Sequence, residues 1–295
     1  VTLGGEKMEE LIKKADTLIE ALPYIREFHG QTVVIKYGGN AMVDKDLMAS
    51  VLEDITLLKY VGLNPVLVHG GGPAISDNLD KLGVESEFHE GLRVTNSEVM
   101  EVVEETLVGK VNSQIVALAN QAGNQAVGLS GKDGNLIAAQ KCESKDGVDL
   151  GYVGEVEKIN PAVLKTVIED GYLPIVAPVG IGAEGASYNI NSDLVAGEIA
   201  AALEAEKLIL LTNVEGILTD PEDPESLVSR LTTAEAESMI DQEQIVGGMI
   251  PKVQSCITAL EGGVRRTHIL DGRVDHAMLL EIFTDQGIGS MITTS

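Results

Sequence analysis

A chain of 295 residues is long enough to bury a large α/β core, as one domain or as two lobes sharing a sheet. Its formal net charge of −25 argues against nucleic acid or an anionic membrane as a partner, since both need basic patches. With no Trp and few other aromatics the core must be aliphatic, and Cys142 and Cys256 fit neither a disulfide framework nor a metal-ligand spacing, reading instead as free buried thiols.

The opening VTLGGEKMEELIKKAD lacks the apolar centre of a secretory leader. No apolar run reaches the length of a bilayer span, so a cytoplasmic protein is expected. Met8, Leu11, Ile12, Ala15, Leu18, Ile19 and Leu22 step by three and four, which predicts an amphipathic helix ended by Pro23. Its stripe needs a partner, either the domain itself or another subunit. A short second helix stops at Gly30. TVVIKYGG is then a strand and glycine turn, Leu47 to Leu58 a helix, VLVHGGG the next strand and turn, and Ala74 to Leu82 a helix. Ser86 to Thr95 reads as a hairpin, Asn96 to Ala122 as a long helix, AVGLSG as a strand, and NLIAAQKC and LGYVGEVEKI as hairpins. Asn160-Pro161 opens a helix to Gly171, LPIVAPVGI is one buried strand, Ser192 caps a helix through Glu206, and KLILLTN is a strand. Helices over 233–242 and 250–260, the strand THILDG, a helix over 277–284 and a last strand GSMIT complete the chain. Repeated β-α order predicts a mainly parallel sheet covered on both faces, with a lobe boundary near 180–185.

Two strand ends, VVIKYGG and VLVHGGG, share a design. Ligands of open α/β sheets sit beyond the carboxyl ends of strands, and glycines there let bare N–H groups approach an anion. One such turn is weak evidence, but two, one of them carrying Lys36, point to phosphate. The pattern is not a dinucleotide fingerprint. GLSGKDG is no P-loop either: Ala126 stands for the first glycine and Asp133 for the hydroxyl, so it reads as a loop. GGMIPKVQ starts a helix and puts Lys252 in its first turn, where a cation is disfavoured by ~0.3–1 kcal/mol. Either that lysine is exposed and tolerated, or it meets an anion together with the helix end. Asp193, read alone, is a favourable first-turn acid; beside two lysines it would orient them. Arg93 at a hairpin edge is a solvated surface arginine or a bidentate grip on a carboxylate. His69 reads as a satisfied structural histidine, and the acidic run over 98–105 as a solvated helix face.

Taken in order from Thr32, VIKYGGNAM, VLVHGGGP, GLRVT, SYNINSDLVAG, LLTNVEG and GGMIPKV resemble the amino-acid kinase family, most closely its N-acetyl-L-glutamate branch. The ending HILDGRVDHAMLLEIFTDQGIGSMI and the N-terminal helix are similar to the arginine-inhibited form of that branch, which assembles as a hexamer, a trimer of dimers. The resemblance implies an α/β fold, a three-layer αβα sandwich on a mainly parallel sheet with an added N-terminal helix. It implies three parts: an oligomerisation helix over 1–30, an acid-binding lobe over 31–182 and an ATP lobe over 183–295 that also carries the arginine site. It implies transfer of phosphate from ATP, with Mg²⁺, to the γ-carboxylate of N-acetyl-L-glutamate, and no metal held by protein ligands. Lys36 and Lys252 would touch the moving phosphoryl group and Asp193 would hold them. Gly38 and Gly39, with Gly71 and Gly72, would offer N–H groups to phosphate and to the reacting carboxylate. Arg93 and Asn189 would bind the acid, and Thr212, Asn213 and Gly216 would border the nucleotide. His268, Glu281 and Gly287 match the family's inhibitor site, with Tyr24 a looser match, and L-arginine would be the inhibitor. A carboxylate nucleophile is already ionised at neutral pH, so no general base is required. Other activities on the same fold, such as carbamate or longer acetylated amino-acid kinases, and a silent arginine-sensing scaffold are the alternatives. Two lysines with Asp193 favour an enzyme, and GLRVT with NINSD favours acetylglutamate.

Overall fold

The computed structural model describes residues 5–42, 44–144, 146–220, 223–284 and 287–295, the side chains of residues 5–7, 10, 40, 41 and 224 excepted. The helices are α1 (Gly5–Glu20), α2 (Leu22–Phe28), α3 (Lys45–Tyr60), α4 (Gly72–Leu82), α5 (Ser97–Glu104), α6 (Ser113–Gln121), α7 (Ala162–Glu169), α8 (Ser192–Ala202), α9 (Thr233–Asp241), α10 (Met249–Glu261) and α11 (Ala277–Phe283). The strands are β1 (Thr32–Tyr37), β2 (Asn64–His69), β3 (Phe88–His89), β4 (Leu92–Arg93), β5 (Ala126–Ser130), β6 (Ile137–Lys141), β7 (Val153–Ile159), β8 (Leu173–Ala177), β9 (Val179–Ile181), β10 (Ser187–Ile190), β11 (Lys207–Thr212), β12 (Arg230–Thr232), β13 (Arg266–Asp271) and β14 (Ser290–Thr293).

One sheet of eight strands, in the order β12-β14-β13-β11-β1-β2-β8-β5, forms the middle layer. From β13 to β5 all neighbours are parallel, while β14 runs antiparallel to β13 and β12 completes that edge parallel to β14. β1 is central, with Ile35 between Leu67 of β2 and Ile209 of β11. Its residues alternate between two cores, as a strand's period of two requires. Val33, Ile35 and Tyr37 pack with α3, α6 and α11. Val34 faces α8 and α10, together with Val66, Val68, Leu208 and Leu210. Strands covered on both sides read as unbroken apolar runs, which is why VVI and LILL carry no polar alternation. Lys36 shares the face of Val34, so the alternation directs it towards α8 and α10.

Several expectations are corrected. Pro23 does not end α1; it occupies the first turn of α2, where a missing N–H removes no helical bond. The α8 cap is Asn191, not Ser192: the Asn191 side chain accepts from the N–H groups of Asp193 and Leu194, and the helix stops at Ala202, short of Glu206. LPIVAPVGI is two strands. β8 belongs to the main sheet and β9 to a small closed barrel of β6, β7, β9 and β10, the chain crossing at Pro178, which has no N–H for a ladder. The long helix over 96–122 has a π-helical centre, Glu105–Asn112, joining α5 to α6. Both cysteines are free, but only Cys256 is buried. Among the described residues no helix is long and apolar enough to cross a membrane.

Candidate active site

The site grows from the carboxyl end of β1. Lys36 is only 5% exposed, and its Nζ lies 2.7 Å from Asp193 Oδ1. The other carboxylate oxygen, Oδ2, is 2.7 Å from Lys252 Nζ. One carboxylate therefore bridges two ammonium groups that are more than two hundred positions apart in sequence. Asn191 orients Asp193 by capping its backbone N–H at 2.8 Å. Ser255 of α10 ties the two helices by donating to the Asp193 carbonyl at 2.5 Å. Burial alone would push the Asp193 carboxyl up; Lys36 and Lys252 together outweigh it and hold the group below its usual 3.8. Burial pulls the Lys36 ammonium below its usual value, with Asp193 opposing. The assembly carries one positive charge in excess, aimed at whatever anion arrives.

Helix α8 can approach α10 this closely because position 197 is glycine. A Cβ there would sit 2.5 Å from the Ser255 carbonyl oxygen and 3.0 Å from its Cα. Gly197→Ala should therefore part α8 from α10 and lower unfolding free energy by about 1–3 kcal/mol, read as a shifted denaturant midpoint.

The two glycine turns lie side by side. Gly70 N–H donates to the Tyr37 carbonyl at 2.9 Å, locking one turn on the other. A side chain at Gly38 would fall 2.8 Å from Lys36 Nζ, and Gly39 has a φ of +73°, a left-handed conformation that glycine adopts without strain. Gly71 precedes α4 with no side-chain cap, so the first N–H groups of that helix remain open to an anion. His69 is fully buried, and its two nitrogens are engaged by Gly70 O at 2.7 Å and the Asn112 amide at 3.1 Å. Burial brings its pKa down to about 4, so it is the neutral, satisfied histidine expected and no general base.

Two cavities flank the Asp193–Lys252 bridge. The first, of about 190 Å³, is lined by Gly71, Gly72, Arg93, Asn189 and Asp193. Arg93 is not a solvated hairpin arginine: it is 8% exposed. It donates to Ser86 Oγ and Ser76 Oγ, each at 2.7 Å, and stacks 4.5 Å from the centre of the Phe88 ring. Asn189 donates to Thr95 Oγ1 at 3.2 Å. The second cavity, of about 410 Å³, is lined by Thr212, Asn213, Gly216, Val246, Met249 and Lys252. Asp193 borders the first cavity and Lys252 the second, so the bridge between them stands where the two adjoin. Gly39 lines neither; it borders a separate crevice with Met42 and Met48.

A third group lies two strands from β1, where His268 is in register with Ile209 and, through it, Ile35. His268 of β13 has Nδ1 2.9 Å from Glu281 Oε1 of α11. A Cβ at Gly287 would lie 3.6 Å from the same carboxylate. Burial raises Glu281, but His268 and Lys207 outweigh it and hold the group low, while burial pulls His268 below 6.5 against Glu281. Tyr24 packs on the adjoining core from α2, and Lys207 Nζ stands 5.0 Å over the α2 residue Phe28.

One network escaped the sequence reading. Lys132, in the loop set aside as no P-loop, reaches Glu104 at 2.7 Å and Ser187 Oγ at 3.1 Å, and Ser187 donates to Glu104 at 2.6 Å. Glu104 is thus not part of a merely solvated face; it anchors β10, which carries Asn189. The acidic run gave no sign of this, because its partners lie 28 and 83 positions away.

A family model described as the amino acid kinase family matches residues 31–271. An acetylglutamate kinase of Moorella thermoacetica is 57% identical over 288 residues, covering 95% of this chain and 97% of that protein. Among solved structures, the N-acetylglutamate synthase from Neisseria gonorrhoeae complexed with coenzyme A and N-acetyl-glutamate matches with a TM-score of 0.83 at 30% identity. That match covers 95% of this chain and 63% of the synthase chain. The same synthase complexed with coenzyme A and L-arginine matches with a TM-score of 0.79 at 28% identity, covering 95% of this chain and 65% of that one.

Proposed function

The chain belongs to the amino acid kinase family, and from that premise we propose that Lys36, Asp193 and Lys252 are its catalytic centre, set between an acid cavity and a nucleotide cavity. The reaction is the ATP-dependent phosphorylation of N-acetyl-L-glutamate on its γ-carboxylate to N-acetyl-L-glutamyl 5-phosphate, a step of arginine biosynthesis. The observation that carries the site assignment is the shared carboxylate: Asp193 faces the first cavity while its partner Lys252 faces the second.

The acid enters the first cavity with a carboxylate towards Arg93, whose guanidinium is already aimed by Ser76, Ser86 and Phe88. Asn189 takes up the polar amide end. The nucleotide fills the more apolar second cavity beside Thr212, Asn213 and Gly216, its γ-phosphate towards Lys252. Both reactants are anions, so the obstacle is repulsion. Lys36, Lys252 and the N–H groups of Gly71 and Gly72, with those of Gly38 and Gly39 on the adjoining turn, supply fixed positive ends for the charge that spreads over the moving phosphoryl group. Asp193 keeps the ammonium groups from drifting onto one reactant. Among the described residues no three His, Cys, Asp or Glu side chains gather to hold a metal, and Asp193 is taken by the lysines. Mg²⁺ fits here as an ion carried on the nucleotide's own phosphates, where it neutralises charge.

The test is ADP release over a panel of acids: N-acetylglutamate, a longer acetylated amino acid, glutamate and carbamate. Release with N-acetylglutamate alone is expected. No release with it, but turnover of another acid, would replace the assignment.

Within the same reading, 1–30 is an oligomerisation arm, 31–182 the acid lobe and 183–295 the nucleotide lobe. L-Arginine acts as an inhibitor beside His268, Glu281 and Gly287, with Tyr24 close by on α2. A largely buried carboxylate beside His268 suits a cationic ligand, and the gonococcal synthase was solved with L-arginine. The α1 stripe supports assembly as a hexamer: Leu18 and Ile19 are 73% and 67% exposed. Deleting residues 1–21, which spares the buried Phe28 of α2, should leave turnover intact, dissociate the hexamer and blunt arginine inhibition. A truncated protein that is still hexameric by light scattering contradicts the arm's role.

A further inference from the structure

His69 and Asn112 form a pair that the reaction as described does not use. His69 closes β2, and Asn112 ends the π-helical run, a local widening of the kind frequent at functional sites. A side chain at Gly128 would strike the Asn112 side-chain oxygen, so β5 leaves room for this amide. The orientation of the amide is fixed by chemistry. Ile175 O lies 2.9 Å from it and can only accept, so the amide nitrogen is the atom on that side. The same nitrogen, which only donates, lies 3.1 Å from His69 Nε2. Nε2 is therefore the bare lone pair and the proton sits on Nδ1, which donates to the Gly70 carbonyl at 2.7 Å.

That hydrogen bond has a geometric consequence. Across a trans peptide the C=O and N–H point opposite ways, and among the described residues no peptide is cis. Tying Gly70 O to His69 turns the Gly71 N–H to the other side. Gly71 lines the acid cavity, and its N–H has no partner among the described residues.

We propose that His69 is a positioning residue: held in its Nδ1–H tautomer by Asn112, it fixes the Gly70–Gly71 peptide so that the Gly71 N–H faces the anion in the acid cavity. This rests on the kinase reading of that cavity. Neutral across the working range, the imidazole acts through the peptide and exchanges no proton with substrate.

Two variants of similar size separate this role from simple core filling. In His69→Asn the amide nitrogen overlays Nδ1 and can still reach Gly70 O. In His69→Gln the amide overlays Nε2, where its oxygen accepts from Asn112, and no donor reaches Gly70 O. His69→Asn should keep kcat within about fivefold of the parent, whereas His69→Gln should lose about 100-fold, the effect of misdirecting one oxyanion-type donor. KM for ATP should change less than about threefold in both, because the cradle acts on the moving group. Melting temperatures should match between the two. Equal kcat values, a slower Asn variant, a loss that tracks melting temperature, or failure of both to fold overturns the proposal and leaves His69 a core group. Absence of N-acetylglutamate turnover in the parent enzyme, read in the same assay, is a separate failure that touches only the substrate assignment.

Discussion

Asp193→Asn should lower kcat by about 1,000-fold or more while leaving the shape of the site in place, since it removes the one charge that holds both lysines. The asparagine amide can accept from one ammonium but turns a donor towards the other. Lys36, 5% exposed at the base of the site, then has no counter-charge. Breaking one side of a buried ion pair costs about 3–5 kcal/mol, so the variant should also melt lower at neutral pH. The pH dependence gives a second signature. Asp193 titrates below its usual 3.8 in the folded protein, so the unfolded chain binds more protons between the two values. Its contribution is present above pH 3.8 and is lost as pH falls through the folded value. The parent should therefore lose stability at that acid end, and Asp193→Asn should lack that component of the slope. A variant with parental kcat would mean that the lysines do not depend on Asp193.

Lys252→Ala should separate catalysis from binding. Lys252 is more exposed than Lys36, with 16% of its side chain accessible against 7%, and it alone of the pair lines the second cavity. If its charge acts on the phosphoryl group in flight, kcat should fall by about 100- to 1,000-fold while KM for ATP changes only a few-fold. Equal losses in single-turnover and steady-state rates would place the effect on the chemical step. Lys252→Arg should not restore the rate, because a planar guanidinium cannot occupy the position of a compact ammonium 2.7 Å from Asp193. An unchanged kcat in Lys252→Ala removes this lysine from the mechanism.

Much of this site was legible in the residues. The glycine turns after β1 and β2 read as anion cradles and do lie side by side, and the lysine in the first turn of α10, out of place without an anion nearby, meets Asp193. The period of two along VVIK, with α8 and α10 on one face of the sheet, is enough to send Lys36 towards Asp193. What escaped was set by contacts distant in sequence. The hairpin edge left Arg93 open between a solvated arginine and a carboxylate grip; it is buried because Ser76 on α4 and Phe88 on β3 close over it. Asn191 and Ser192 are both good caps, and side-chain propensity cannot rank neighbours; the turn from β10 into α8 decides for Asn191. The π-helical run has no periodicity that separates it from an ordinary helix, yet it brings Asn112 to His69. Pro178 was readable as a strand end, but the apolar residues on both sides hid the change of sheet.

The most direct measurement of the central claim is a crystal structure with ADP, tetrafluoroaluminate and N-acetylglutamate, the planar anion standing in for the phosphoryl group. That anion is expected between Lys36 and Lys252, with N-acetylglutamate under Arg93 and Asn189 and the nucleotide beside Thr212 and Asn213. An anion bound away from either lysine, or an acid seated outside the Arg93 cavity, would contradict it.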